Sequence, residues 1–267
     1  AGEITLSKKI YNAMMAVGND STQWQPGKRW FHADDIAISQ MYIDLYRKEK
    51  RPEMLKATID ALARFQKEPY PTSGKKDIIK WWWCDALFMA PPTLVKLGIV
   101  TNDNSYLEYS DKCFKECYDL LYNKKEHLFA RDLGYVIKGT KEDRKEANGK
   151  LIFWGRGNGW VMGGLVRILQ ELPANYPKRS FYEQLFKEMA ARIVSLQQAD
   201  GLWRASLLDP ESYPGGEVSG SGFFCYALAW GVNSGLLKEE LYLNAAKKAW
   251  IGLNRCVNED GRVGWVQ

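Results

Sequence analysis

Apolar residues recur along this chain at the three-and-four spacing of an α-helix, interrupted by polar stretches that carry proline or glycine. Residues 4–18 read as a short helix stopped by Gly18, and a polar turn over 19–28 contains Pro26-Gly27. Residues 30–48 carry Ile36, Ile38, Met41, Ile43, Leu45 and Tyr46, the broad apolar face of a buried helix. Pro52 stands where a first helical residue is favoured and opens a helix over 53–67. A loop over 68–77, with Pro69, Pro71 and Gly74, leads into Trp81-Trp82-Trp83. Further helices are predicted over 85–97 (closed at Gly98), 102–122, 157–172, 179–198, 220–234 and 238–258. The stretches 123–153 and 199–219 are too long for plain helix-hairpin connections, and long loops in compact domains tend to carry function.

The pattern therefore predicts about nine helices in succession and no convincing alternating strand. The helices pair by short links and then long ones, at about 50 residues per pair, which points to stacked helical hairpins, either an open solenoid or a closed α/α toroid. In a toroid the long loops gather at one end and build the site. The expected fold class is all-α, one domain over residues 1–267, with the repeat beginning and stopping mid-pattern.

Composition narrows the function. A hydrophobic content of 46% with 26% charge belongs to a soluble globular protein. No apolar run approaches the ~20 residues of a membrane helix, and no basic segment followed by an apolar one opens the chain. The expectation is a soluble protein, periplasmic or cytoplasmic, without a membrane partner. The formal net charge of +5 is spread among acidic residues with no basic stripe, so nucleic acid is not expected as a partner either. Five cysteines are too scattered for a disulfide scaffold. Cys113 and Cys117 lie four apart, but His32 and His127 are remote in sequence, so buried thiols are expected and no metal or other cofactor. Eleven Trp and fourteen Tyr exceed what a helical core requires. Aromatic faces stack on the apolar faces of sugar rings, which favours a carbohydrate site. The oligomeric state stays open.

Four stretches carry candidate chemistry. In Lys80-Trp-Trp-Trp-Cys-Asp-Ala-Leu-Phe-Met-Ala-Pro-Pro92, a lone carboxylate follows three tryptophans, and Asp85, Phe88 and Met89 share a helix face. A carboxylate among large aromatics is poorly solvated, which raises its pKa and suits it to proton transfer; Asp85 as a helix N-cap is the plainer alternative. His32-Ala33-Asp34-Asp35 places two adjacent acids at a helix start, for pKa tuning or for complementing the helix dipole. Phe153-Trp-Gly-Arg-Gly-Asn-Gly-Trp160 puts three glycines directly before a helix, where backbone N–H groups can approach a ligand. Arg156 offers a fork for a carboxylate, with Trp154 and Trp160 as stacking faces. Glu217-Val-Ser-Gly-Ser-Gly222 reads best as a polar capped turn opening a helix.

Asp34 on its helix, Trp83-Cys-Asp85 before Phe88-Met89, Trp154 to Trp160, and Gly220-Ser-Gly222 occur in an order that resembles the unsaturated rhamnogalacturonyl hydrolases of glycoside hydrolase family 105, and more distantly the unsaturated glucuronyl hydrolases of family 88. The resemblance covers nearly the whole chain. It implies an (α/α)6 barrel, of which helices at both ends are missing here. It implies an unsaturated uronyl oligosaccharide as partner, a pectin fragment of the rhamnogalacturonan type left by a lyase. A single Asp protonates C4 of the enol-ether ring, water adds at C5, and the hemiketal opens with loss of the aglycone, unlike the two-carboxylate scheme.

Carried onto this chain, the resemblance makes Asp85 the acid and then base, with Asp34 bonding sugar hydroxyls and helping hold Asp85 protonated; Asp35 is the fallback. Arg156 pairs with the substrate carboxylate, Trp83, Trp154 and Met89 wall the ring, and Trp160 is a further substrate-binding position. Arg131 or Asp132 replaces a family His that contacts substrate. Family members also carry a His about eleven residues before the acid, in a Trp-His-Lys context; here 73–77 reads Ser-Gly-Lys-Lys-Asp. Two rivals stand beside this reading. One is an inverting glycosidase pairing Glu217 with Asp85 across about 6.5–9.5 Å. The other is a non-catalytic helical-repeat protein that binds glycan.

Overall fold

A computed structural model describes residues 2–68 and 79–267. The predicted loop over 68–77, including the 73–77 segment that lacks the family His, lies outside the described residues from position 69 onward. The chain forms two compact units, Ala1–Lys80 with Met89–Lys112, and Trp81–Phe88 with Cys113–Gln267.

In the first unit α1 (Gly2–Ala16) runs into one π-helical turn, Val17–Thr22. The core there gathers Trp24, Tyr42, Leu45 and Met54. Trp24 meets Tyr42 edge to face at 5.4 Å, and the Tyr42 hydroxyl donates to Thr22 Oγ1 at 2.7 Å, so the ring is buried with its polar end satisfied.

The single helix predicted over 30–48 is two: α2 (Ala33–Ile36) and α3 (Ser39–Glu49). The break has a cause. The Asp35 carbonyl accepts the Gly27 N–H at 2.8 Å, which diverts it from the helical ladder, and Gln40 closes a tight turn onto the Ala37 carbonyl at 3.1 Å. α4 (Glu53–Lys67) follows as predicted, burying Met54, Leu55, Thr58, Ala61, Leu62 and Phe65.

The helix predicted over 85–97 also divides, into α5 (Ala86–Met89) and α6 (Pro91–Thr101). Pro91 is preferred at a helix start, and it opens α6. Gly98 does not close α6. A side chain there would collide with Leu107, so the glycine serves close packing, and Asn102 ends the helix in the left-handed conformation at φ 54°. The first half of α7 (Asn104–Leu121) completes this unit.

The second unit contains the rest of α7, a two-residue ladder of β1 (Tyr122–Asn123) with β2 (Leu128–Phe129), α8 (Gly155–Glu171), α9 (Arg179–Ser195), α10 (Val218–Asn233) and α11 (Glu240–Asn254). The sequence pattern showed no strand, and this ladder is too short to leave an alternating signature. The glycines at 155, 157 and 159 are inside α8 rather than in a loop before it. Gly159 lets α8 and α10 touch through backbone, since a side chain there would sit 3.0 Å from the Gly220 Cα. α10 opens on Glu217, whose carboxylate accepts from the Ser219 and Gly220 amides at 2.8 and 2.6 Å, the capped turn expected. Among the described residues nine helices have eleven or more residues, and none is long and apolar enough to cross a membrane.

Candidate functional site

In the second unit, four segments are laid side by side in two pairs by backbone bonds. The Cys84 amide donates to the Arg131 carbonyl at 2.8 Å and Trp83 bridges Asp132, which sets the stretch before α5 along the loop after β2. Trp154 bridges Ser206, and the Gly155 amide donates to the Ala205 carbonyl at 2.8 Å. Asn158, fully buried in α8, ties these layers together. Its Oδ1 accepts the Phe129 amide at 2.8 Å, while its Nδ2 donates to the carbonyls of Phe129 at 3.1 Å and Trp154 at 3.0 Å. Asn158 was not singled out in the sequence. An amide side chain amid the apolar and glycine positions of α8 was the available signal.

Asp85 immediately precedes α5 and is half-buried. The Cys84 thiol donates to its Oδ1 at 3.4 Å. Among the aromatics, the Trp82 and Trp83 ring centroids are 4.9 Å apart, and Trp160 stands 4.8 Å from Phe88 and 4.4 Å from Phe223.

The same unit holds a cationic corner. The Arg156 guanidinium sits 4.6 Å over the Trp154 ring, and Arg131 is 6.0 Å from the same ring. Arg156 donates through one terminal nitrogen to the Gln267 carbonyl at 2.6 Å, and the Trp154 indole donates to Gln267 Oε1 at 2.7 Å. Arg156 Nε is buried and, among the described residues, has no acceptor. An unpaired buried guanidinium N–H is costly unless a ligand oxygen meets it. Asp132 differs from the reading that offered it to substrate. Its Oδ1 accepts the Gly134 amide at 2.7 Å and its Oδ2 the Arg131 Nε at 2.9 Å, so its carboxylate is engaged locally.

The first unit holds Asp34, Asp35 and Met89. The Arg29 backbone amide donates to Asp35 Oδ2 at 2.8 Å, and the Arg29 guanidinium grips Oδ1 at 2.5 and 3.1 Å. Burial alone raises the Asp35 pKa, but the Arg29 side chain and backbone bonds outweigh it, and the net shift is downward. Asp35 is therefore held ionised and committed to structure. The Asp34 carboxylate is 48% exposed and, with Trp30 and Arg64, faces a cleft of about 830 Å³. Met89 is half-buried, and its carbonyl accepts from Gln40 Nε2 at 3.2 Å and Thr93 Oγ1 at 2.9 Å. No cluster of three or more His, Cys, Asp or Glu placed to hold a metal occurs among the described residues.

A mostly helical chain with Asp85 next to Trp82 and Trp83 in sequence and Arg156 over Trp154 fits the α/α-toroid glycosidases, and comparison agrees. The chain belongs to Glycosyl Hydrolase Family 88, whose model matches residues 1–267. That family consists of enzymes that hydrolyse unsaturated uronic acid from lyase products. The chain is 52% identical over 266 residues to an unsaturated 3S-rhamnoglycuronyl hydrolase of Formosa agariphila, covering 95% of this chain and 70% of that one. It is 38% identical over 255 residues to an unsaturated 3S-rhamnoglycuronyl hydrolase of an Alteromonas species, covering 90% of this chain and 60% of that one. Its fold matches a solved family 88 glycosyl hydrolase from Bacteroides vulgatus with a TM-score of 0.88 at 28% identity, over 97% of this chain and 76% of that one. The all-α toroid expected from the sequence is thus the fold of its relatives.

Proposed function

We propose that this chain removes a 4,5-unsaturated uronic acid from a rhamnose-bearing oligosaccharide left by a lyase, with Asp85 as the proton donor. The observation that carries the reading is the unpaired, buried Nε of Arg156 beside Trp154, in the same unit as Asp85. A guanidinium with an open donor suits the carboxylate that every uronic acid carries, and an indole face suits its ring. The thiol bonded to Asp85 rests against Gly157, one residue beyond Arg156. The acid and the cation therefore flank one contact.

Asp85 in its acid form gives its proton to C4 as the C4–C5 double bond opens. Water bonds to C5 and its proton passes to the Asp85 carboxylate, restoring the acid. The product is a hemiketal that opens and releases the next sugar. Arg156 holds the substrate carboxylate, Trp83, Trp154 and Trp160 wall the ring, and Arg131 adds positive charge over Trp154. Asp35, held ionised by Arg29, is committed to structure and is no stand-in for Asp34. Rhamnose as the sugar released agrees with the rhamnogalacturonan-type substrate expected from the sequence and with the names of the two relatives.

The test is loss of the alkene's ultraviolet absorbance with unsaturated uronyl-rhamnose disaccharides, made with the glucuronyl and the galacturonyl ring in separate assays. Turnover by the parent and none by Asp85→Asn supports the reading. Cleavage of saturated glycosides instead would sink it in favour of a two-carboxylate enzyme.

A further inference from the structure

The reading above needs one guanidinium to hold one carboxylate, yet three stand in a row. Arg156 lies 4.6 Å over the Trp154 ring, and Arg131 lies 6.0 Å from that ring and 5.2 Å over Tyr135. Arg144 lies 4.9 Å over Tyr135 as well, so cation and ring alternate. An aromatic face attracts a cation, which lets two like charges share one ring. The backbone builds this row. Asp132 caps the short turn Leu133–Tyr135 by accepting the Gly134 amide at Oδ1, and its Oδ2 meets Arg131 Nε at 2.9 Å. One carboxylate therefore sets both the tyrosine and the first arginine. Arg144 follows Asp143, whose carboxylate accepts the Lys138 and Gly139 amides at 2.9 and 2.8 Å and so folds the loop back.

The acids near this row leave much of its charge unanswered. Asp132 meets Arg131 through Nε alone. The two acids flanking Arg144 are engaged elsewhere: Asp143 on backbone amides, and Glu146 on the Tyr213 hydroxyl, which donates to it at 3.1 Å. Among the described residues, Arg144 and the terminal nitrogens of Arg131 have neither a hydrogen bond nor an ion pair, and both side chains are exposed. We infer that Arg131 and Arg144 form a second anion subsite, which takes a negatively charged group, a sulfate ester or a further carboxylate, on the sugar that follows the uronic acid. The inference deepens the proposed function and rests on Arg156 holding the uronate carboxylate, since that charge is then matched and the other two guanidiniums are left for another anion. A guanidinium stacked on a ring keeps its planar N–H edge open, and that edge fits two oxygens of a sulfate or a carboxylate.

The test is kcat/KM, by alkene absorbance, for three unsaturated uronyl disaccharides whose second sugar is neutral, sulfated or itself a uronic acid. The parent is expected to prefer a charged second sugar over the neutral one by about tenfold, carried by KM, and added salt is expected to shrink that preference. Whichever charged arm gains more names the anion. Arg144→Gln is expected to cut the preference to about threefold, and Arg131→Gln combined with Arg144→Gln to abolish it. Equal kcat/KM for all three substrates overturns the inference and leaves the proposed function standing. A preference that survives the double substitution overturns it too, by placing the second anion elsewhere. So does an Arg144→Gln variant that loses turnover on all three alike, the mark of a packing role. Turnover of none of the three by the parent overturns this inference together with the reading beneath it.

Discussion

Asp35 and Asp85 are both acids at a short helix in a tryptophan-bearing stretch, and the donors found on them differ. Asp35 is gripped by a guanidinium and a backbone amide, and it stays charged. Asp85 accepts from the Cys84 thiol, a weak donor. A carboxylate held by arginine gives up its proton too readily to protonate a carbon. On the function proposed above, the neighbour, more than the acidic residue itself, decides which of two similar motifs does chemistry.

The contrast can be broken in order of effect. Asp85→Asn is expected to lower kcat by about a thousandfold, while Asp35→Asn leaves most of it, both read by alkene absorbance. Should Asp35→Asn prove as inactive as Asp85→Asn while still folded, the assignment reverses. Arg156→Ala removes the proposed carboxylate clamp, and KM is expected to rise about thirtyfold with a smaller change in kcat. An unchanged KM would place the substrate's charge elsewhere. Asn158→Ala strands the Phe129 amide and carbonyl in the interior, while the Trp154 carbonyl keeps the backbone amide of residue 158, and a thermal melt is expected to fall by about 5 °C.

The smallest effect sharpens the Asp35 half of the comparison. Its pKa is depressed on folding, so the stability it adds is present above the ordinary carboxylate range and is lost as pH falls through its folded pKa. Melting temperatures taken from pH 6 down to pH 3 are expected to drop less steeply for Asp35→Asn than for the parent, the two lines converging at the acid end.

Helices with one apolar face were legible in the sequence. α4 is the clearest, because its buried positions follow the helical period and solvent takes the rest. Broken helices were less so. Nothing in residues 30–48 announces that the Asp35 carbonyl is claimed by Gly27, and a tertiary bond of that kind leaves no local pattern. Gly98 and the glycines of α8 misled for one reason: glycine is read as a stop or a loop, but here it admits a neighbouring side chain or helix. The tryptophans, Asp85 and Arg156 were visible as unusual residues close together. Asn158 and Cys84 were not, because their importance lies in partners 29 positions away and one position away, respectively.

The Asn158 staple has a consequence in time. The Phe129 amide hydrogen is bonded to a side chain in α8 and not to its own hairpin, so it can exchange with solvent deuterium only when that helix end opens. Slow exchange at Phe129 should therefore report the integrity of the Trp154–Asn158 turn. Deuterium uptake at that one position is a clock for how often the wall beside Arg156 comes apart.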